Sequence, residues 1–380
     1  MVPNAMHLAI NAYFWDRPDT GSGQYVRQLA AHLTGLGGDL RITLVAPRQL
    51  EAADHPLPAA CTWHTVPGRP GDLGKVLFEQ FAFPRTCREL GADLALVPYW
   101  GSPLRSTVPL VVTIHDLIPL LLREYRGGPL GRLYTGLVAA TARGAQQVIT
   151  DSHASRDDIL AHLGIPADRV WAIHLAAGDH FRPGPPDPAV AAKYGLPDGY
   201  TLYLGGFDLR KNLETLLRAY CHVGPAIGDD FPLVLAGRPV RSRSPRFPDL
   251  EALIRELDLG EYVRITGYVD EADKPAVYRG AAVLVQLSHY EGFGLTPLEA
   301  MSCGTPVVVS DRSSLPEVVG AAGFALDPAD VEGIAGAIIA CAIQEELRAD
   351  LRQRGLEQAA RFSWKRTAEE TLEVLRRAVS

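Results

Sequence analysis

Three hundred and eighty residues, 47% hydrophobic and 21% charged at a mean hydropathy of +0.02, describe a globular chain long enough for about two domains. The 37 basic and 44 acidic side chains divide as 15 and 16 over residues 1–180 and as 22 and 28 over 181–380, so neither half carries the basic excess of a nucleic-acid binder. Five cysteines, an odd number with no C-x-x-C, argue against a disulfide framework and a zinc site and suit a reducing, cytoplasmic compartment. The amino-terminal MVPNAMHLAINAYFW lacks a basic region followed by a long apolar core, and no run of about 18 apolar residues occurs, so neither a secretory signal nor a membrane span is expected.

In chain order, short Val, Ile and Leu runs alternate with longer amphipathic stretches, the pattern of buried parallel strands joined by crossover helices. Strands are expected at His7–Ala12, Ile42–Ala46, Leu94–Val97, Leu110–Ile114, Val148–Thr150 and Val170–Ile173, with helices near Gln24–Leu36, Gly131–Arg143 and Ser155–Leu163. These make one doubly wound unit of six strands over residues 1–180. Prolines at 183, 185, 186 and 188 mark 181–199 as a stiff, strand-poor linker. The rhythm then restarts over 200–362, with strands Leu202–Leu204, Leu233–Ala236, Val263–Thr266, Val283–Leu287, Val307–Ser310 and Phe324–Leu326. Helices are expected near Leu213–His222, Leu250–Leu257, Lys274–Tyr278, Pro297–Cys303 and Val331–Gln344. A last helix, 363–380, has no strand after it and is expected to pack back across the first domain. The fold class is therefore α/β, two doubly wound Rossmann-like domains facing a cleft, where ligands bind outside the carboxyl ends of the strands.

The stretch SHYEGFGLTPLEAMSCG, Ser288–Gly304, sets Glu291 and Glu299 around Gly292, Phe293 and Gly294. A strand ends, a glycine loop lets backbone N–H groups approach a ligand, and a helix starting at about Pro297 points its positive end at the same place. That is an anion site with a carboxylate on each side. Two plainer readings compete: Thr296-Pro-Leu-Glu299 is a capping box that would use Glu299 on the helix end, and Glu291 can be a solvated loop acid.

The second stretch, YLGGFDLRKN, Tyr203–Asn212, runs a strand into Gly205-Gly206, then Arg210 and Lys211 before a helix. Only five lysines occur in the chain, and a cation at a helix start opposes the dipole, so this pair reads as a diphosphate site more readily than as surface. It is not a Walker A loop. In VVTIHDLIP, Val111–Pro119, His115 stands where a strand ends and suits a sugar hydroxyl, a proton transfer or a structural hydrogen bond. Thr20-Gly21-Ser22-Gly23 either admits a ligand or closes a strand-to-helix turn, and Gly267-Tyr268 either flanks a nucleobase or simply turns. No D-x-D triplet, G-x-S-x-G elbow or H-E-x-x-H is present, which leaves protein cations to neutralise a diphosphate and disfavours hydrolysis.

Taken together, HYEGFGLTPLEAMSCGTPVVVSDRSSLPEVVG, GGFDLRKN, TGSGQYVRQL and VTIHDLIP resemble the retaining nucleotide-sugar glycosyltransferases of family 4 along essentially the whole chain. The resemblance implies the two-domain GT-B fold and transfer of a hexosyl group, mannose foremost, from a GDP- or UDP-linked sugar. The acceptor would be a glycan, a lipid-linked saccharide or a small molecule read by the first domain. It implies that Glu291 lies near the donor sugar's hydroxyls, Glu299 on the ribose, and Phe293, Gly294 and Leu295 along sugar and diphosphate. Arg210 and Lys211 would meet the diphosphate, His115 the donor sugar, and Gly21 and Gly23 the phosphate and acceptor. Gly206-Phe207 departs from relatives that carry a further arginine directly after the glycine. No cofactor and no metal are implied. A GT-B nucleotide-sugar epimerase and a non-catalytic nucleotide-sugar-binding protein remain as alternatives. The stretch Leu117–Tyr134, which mixes leucines with Arg123, Arg126 and Arg132, reads either as a peripheral contact with an anionic membrane or as a partly buried helix and loop.

Overall fold

The apolar runs form thirteen strands in two wholly parallel sheets, in a computed structural model that describes residues 5–18, 20–37, 40–47, 57–238 and 244–380. The first sheet holds β1 (Met6–Asn11), β2 (Leu40–Pro47), β3 (Cys61–Val66), β4 (Leu94–Val97), β5 (Leu110–Thr113), β6 (Gln147–Thr150) and β7 (Val170–Ala172), in the order β3-β2-β1-β4-β5-β6-β7. The second holds β8 (Thr201–Leu204), β9 (Leu233–Ala236), β10 (Val263–Gly267), β11 (Val283–Gln286), β12 (Val307–Ser310) and β13 (Phe324–Leu326), in the order β10-β9-β8-β11-β12-β13. Each order reverses direction once, between β1 and β4 and between β8 and β11. Those reversals are the topological switch points at which loops diverge and ligands enter.

Two compact units result: 1–175 with 364–380, and 176–363. In the first, Phe78, Phe83, Val97, Val112, Val148 and Ile159 pack around the strands. In the second, Tyr203, Leu217, Tyr220, Val283, Val308 and Ile338 do so. The last helix, Trp364–Val379, belongs to the first unit, where Thr367 Oγ donates to the His174 carbonyl at 2.7 Å and Trp364 lies by the rings of Tyr25 and His32.

Three expectations change. The first sheet has seven strands rather than six: β3 pairs only with β2, and only Val66 of it is buried, so its polar edge hides the strand signal. The segment 181–199 is no bare linker, and the second unit begins before it. Asp187 caps a helix, Pro188–Tyr194, whose Lys193 bridges Asp270 and Asp273 at 2.7 and 2.6 Å, while Phe181 packs on Tyr278. Further helical turns, Gly71–Leu77, a π-helical turn Phe78–Ala82, Phe83–Glu89, Leu315–Val319 and Glu345–Ala359, are too glycine-rich, short or charged to stand out by period.

Candidate active site

Arg210, Lys211 and Glu291 come together at the switch point of the second sheet. The loop after β8 carries the two cations through a 3₁₀ turn, Leu209–Lys211, and the loop after the neighbouring β11 carries the glutamate. A backbone hydrogen bond from His289 N to Arg210 O, 2.8 Å, ties the loops together. Lys211 Nζ donates to Glu291 Oε1 and Arg210 Nη1 to Oε2, both at 2.6 Å. Ser288 Oγ and Gln286 Nε2 add bonds to Oε1 at 2.6 and 2.9 Å.

Burial by itself would raise this carboxyl. The charges of Lys211 and Arg210, with the bonds from Lys211 and Ser288, override it and hold Glu291 at about 2. The solvated-acid reading of Glu291 is thereby corrected: the side chain is 14% exposed and fully ionised near neutrality.

The backbone of the same loop is clamped from the segment after β12. Ser313 Oγ donates to Glu291 O at 2.5 Å and receives its N–H at 3.3 Å, while Ser314 Oγ reaches Glu291 O at 2.9 Å and also the carbonyl of Phe293. Phe293 turns its ring inward, 5.9 Å from that of Phe362, so only its backbone is left to face a ligand. Gly292 precedes it in the loop. Gly294 caps the following helix, Leu295–Ser302, at φ 123°, a conformation that favours glycine.

Glu299 lies inside that helix, 5% exposed, with Tyr278 Oη donating to its Oε2 at 2.7 Å. The capping-box reading of Glu299 is therefore wrong: the helix starts at Leu295, two residues early, and Gly294 holds the cap position with no side-chain bond. Burial raises Glu299 to about 7, against the pull of Lys274 and Tyr278. Gly206 follows β8, its carbonyl accepting from Tyr203 Oη. Tyr268, after β10 and Gly267 at φ 81°, is half-exposed with the Arg238 guanidinium 4.2 Å over its ring.

The first unit holds His115 and the glycine turn. His115 sits beyond β5, with Nδ1 2.8 Å from Asp151 Oδ2 and Nε2 3.2 Å from Pro98 O, and with the Tyr25 ring edge-on at 4.9 Å. Both partners are acceptors, so the ring bridges the Asp151 carboxylate and the Pro98 carbonyl. Burial alone would lower the ring's pKa, and the Asp151 carboxylate outweighs it and raises it. Gly21 and Gly23 open the helix Gly21–Gly35 behind the cap Thr20. A Cβ at Gly23 would lie 1.9 Å from Arg17 O, so close packing within the turn accounts for that glycine, whereas Gly21 has open space around its Cβ position.

Ser288, Gln286, Ser313, Ser314, Tyr278 and Asp151 were not among the residues expected. Asp151 alone had a visible signal, a carboxylate directly after an apolar strand, as with His115.

Residues 20–176 match the family described as Glycosyltransferase Family 4, and 191–358 match Glycosyl transferases group 1. The chain is 36% identical over 265 residues to the O-antigen chain mannosyltransferase B of Escherichia coli, covering 69% of this chain and 68% of that one. The chain belongs to glycosyltransferase family 4. It is a glycosyltransferase, and its two parallel-sheet units are those of the GT-B fold, which it shares with sucrose-phosphate synthase from Thermosynechococcus elongatus at TM-score 0.77, 23% identity and 98% coverage of both chains. It is also 32% identical over 268 residues to the serotype-specific mannosyltransferase WbdA of Escherichia coli, spanning 69% of itself and only 33% of that longer protein. Among the described residues, no helix of this family 4 enzyme is long and apolar enough to cross a membrane.

Proposed function

We propose that this enzyme moves a hexosyl group, mannose, from a nucleoside-diphosphate sugar to a glycan or lipid-linked acceptor with retention at the anomeric carbon and without a metal. The observation that carries it is the convergence of Arg210 and Lys211 on Glu291 at the second sheet's switch point, with a helix start beside it. The similarity to the O-antigen chain mannosyltransferase supports mannose as the sugar.

On this reading the bond from the anomeric carbon to the diphosphate oxygen breaks while the acceptor oxygen bonds to the same face. The acceptor's proton passes to the departing diphosphate. Arg210, Lys211 and the N–H groups at Leu295 stabilise the charge that grows there. Glu291, ionised and held by four side-chain donors, orients a sugar hydroxyl as an acceptor, a task for which a carboxylate near 2 is suited and a proton donor is not. Glu299 takes the ribose, Tyr268 the base, and His115, with Nδ1 held by Asp151 and Nε2 released from the Pro98 carbonyl, a sugar oxygen. The enzyme works on the cytoplasmic side, peripheral at the inner face of the membrane.

A thermal-shift panel tests this, with GDP-mannose first and UDP-sugars next, each with and without EDTA. A donor at 100 times its Kd adds about 2.7 kcal/mol of stability. A shift with one donor that survives EDTA is expected. A shift lost in EDTA overturns the metal-free reading, and no shift with any nucleotide overturns the donor site. Incubation with donor alone should leave the sugar unchanged, and an altered free sugar would mark an epimerase.

A further inference from the structure

The second unit carries a cavity of about 370 Å³ at the end of its sheet opposite Glu291. Its floor is the chain just ahead of three neighbouring strands: Gly199 lies before β8, Ala281 and Ala282 before β11, and Gly304 and Pro306 before β12. Glu291 follows the carboxyl end of β11, so the length of a strand separates the two places. The floor residues are small, and Phe231 adds an aromatic ring to the lining. The volume is that of a pocket for a small organic molecule.

Three arginines line this cavity from two helices. Arg279 lies in the helix Lys274–Gly280, and Arg348 and Arg352 stand four residues apart in Glu345–Ala359. Arg279 Nε donates to Arg182 O at 2.9 Å, and Arg348 Nη1 to Ala342 O at 2.6 Å. Arg352 lies against Gly304, where φ is 83° and a Cβ would come 3.0 Å from its Nε. A guanidinium has five N–H groups, and these contacts use one from each of the first two arginines and none from the third. Among the described residues no carboxylate pairs with any of the three: Asp198 and Glu345 line the same cavity, but both are exposed and neither forms an ion pair with them. Arg279 and Arg348 are half-buried. Cations that surround one cavity, partly withdrawn from water and without an anion, repel one another and lose hydration, which an anionic ligand would restore.

We propose that this cavity binds a small phosphate monoester. A phosphate dianion presents three oxygens in a tetrahedral array and takes guanidinium forks from several directions, whereas a planar carboxylate is satisfied by fewer. The small floor residues and the Phe231 ring leave room for the carbon skeleton of the ester. The site lies at the amino ends of the strands, away from the loops that carry Arg210, Lys211 and Glu291, so its ligand and a nucleotide sugar occupy different places. The inference does not rest on the proposed function.

Calorimetric titration of the full chain with glycerol 3-phosphate tests it, with inorganic phosphate and malate as comparisons. Saturable submillimolar binding of glycerol 3-phosphate is expected, tighter than that of either comparison and weakening with salt. Arg279→Gln/Arg352→Gln should weaken it roughly tenfold or more. Ala349→Glu, at an exposed helix position on the lining, sets a competing carboxylate among the arginines and should do the same with the parent's melting temperature, which keeps a folding defect apart. Arg210→Ala/Lys211→Ala should bind glycerol 3-phosphate as the parent does. Absence of saturable binding, or unchanged binding in both the arginine variant and Ala349→Glu, overturns the site. Loss confined to Arg210→Ala/Lys211→Ala overturns it too and assigns the phosphate to the loops after β8 and β11. Malate binding more tightly than glycerol 3-phosphate overturns the choice of phosphate, and inorganic phosphate binding as tightly overturns the choice of an ester. A melting shift with nucleotide sugar but no binding of glycerol 3-phosphate breaks this inference alone, and the converse breaks the donor-site reading alone.

Discussion

Glu291 and Glu299 stand eight residues apart in one loop and helix, both largely withdrawn from water, yet one is held near 2 and the other near 7. Burial acts on the two in the same direction, so burial does not decide between them. The partners decide. Glu291 has a lysine, an arginine and two neutral donors in direct contact, while Glu299 has one tyrosine hydroxyl and the longer-range charge of Lys274, opposed by Glu271. A carboxylate pair that looks symmetrical in sequence is thus split into a fixed anion and a group that titrates near neutrality.

The largest expected effect breaks the contrast from the cation side. Lys211→Ala should reduce kcat by about 10²–10³-fold, the cost of one donor to a developing oxyanion. Steady-state turnover near the parent's would remove Lys211 from the diphosphate.

Next in size is acid stability. The folded-state value of Glu291 lies below its ordinary 4.5, so its contribution is present above pH 4.5 and lost as pH falls towards 2. Over that window the parent should lose on the order of 3 kcal/mol more than Glu291→Gln in denaturant titrations. Parallel acid profiles would mean that the cations do not hold this carboxylate.

Glu299 has the opposite sign. Its folded-state value lies above 4.5, so its contribution is full below pH 4.5 and lost as pH rises through about 7. Glu299→Gln should therefore flatten the stability profile between pH 5 and 8 and remove an inflection near 7 in donor affinity, followed by calorimetry at each pH. An inflection that survives the substitution belongs to another group.

The smallest effect is at His115. Its raised value means that its contribution is full below 6.5 and lost as pH climbs through the folded-state value. Asp151→Asn should lower the ring's titration midpoint, read from its proton resonances, and cost about 1 kcal/mol at pH 6, with no change at Glu299. An unmoved midpoint would show that Asp151 does not charge the ring.

Much of this was legible in the chain. The Val and Leu runs of β4, β5, β9, β11 and β12 are buried on both faces, so composition alone marks them, and the glycines and cations between strand and helix mark the loops. What was not legible depends on neighbours. β3 is an edge strand with one buried residue, and the polar Glu345–Ala359 buries little. The glycines at 21 and 23 look alike until the Arg17 carbonyl is found against one of them. The serines that clamp the Glu291 loop lie 22 and 23 residues away, after another strand.

The sequence by itself determined two parallel α/β units, the family, and which residue types stand at strand ends, because hydrophobic period and loop chemistry are local properties. The tertiary structure alone decided which of those residues meet. Strand order puts β8 beside β11, and that adjacency brings Arg210 and Lys211 onto Glu291 while leaving Glu299 to a tyrosine. Charge state follows from distances of a few ångströms across non-consecutive segments, and no spacing along the chain encodes them.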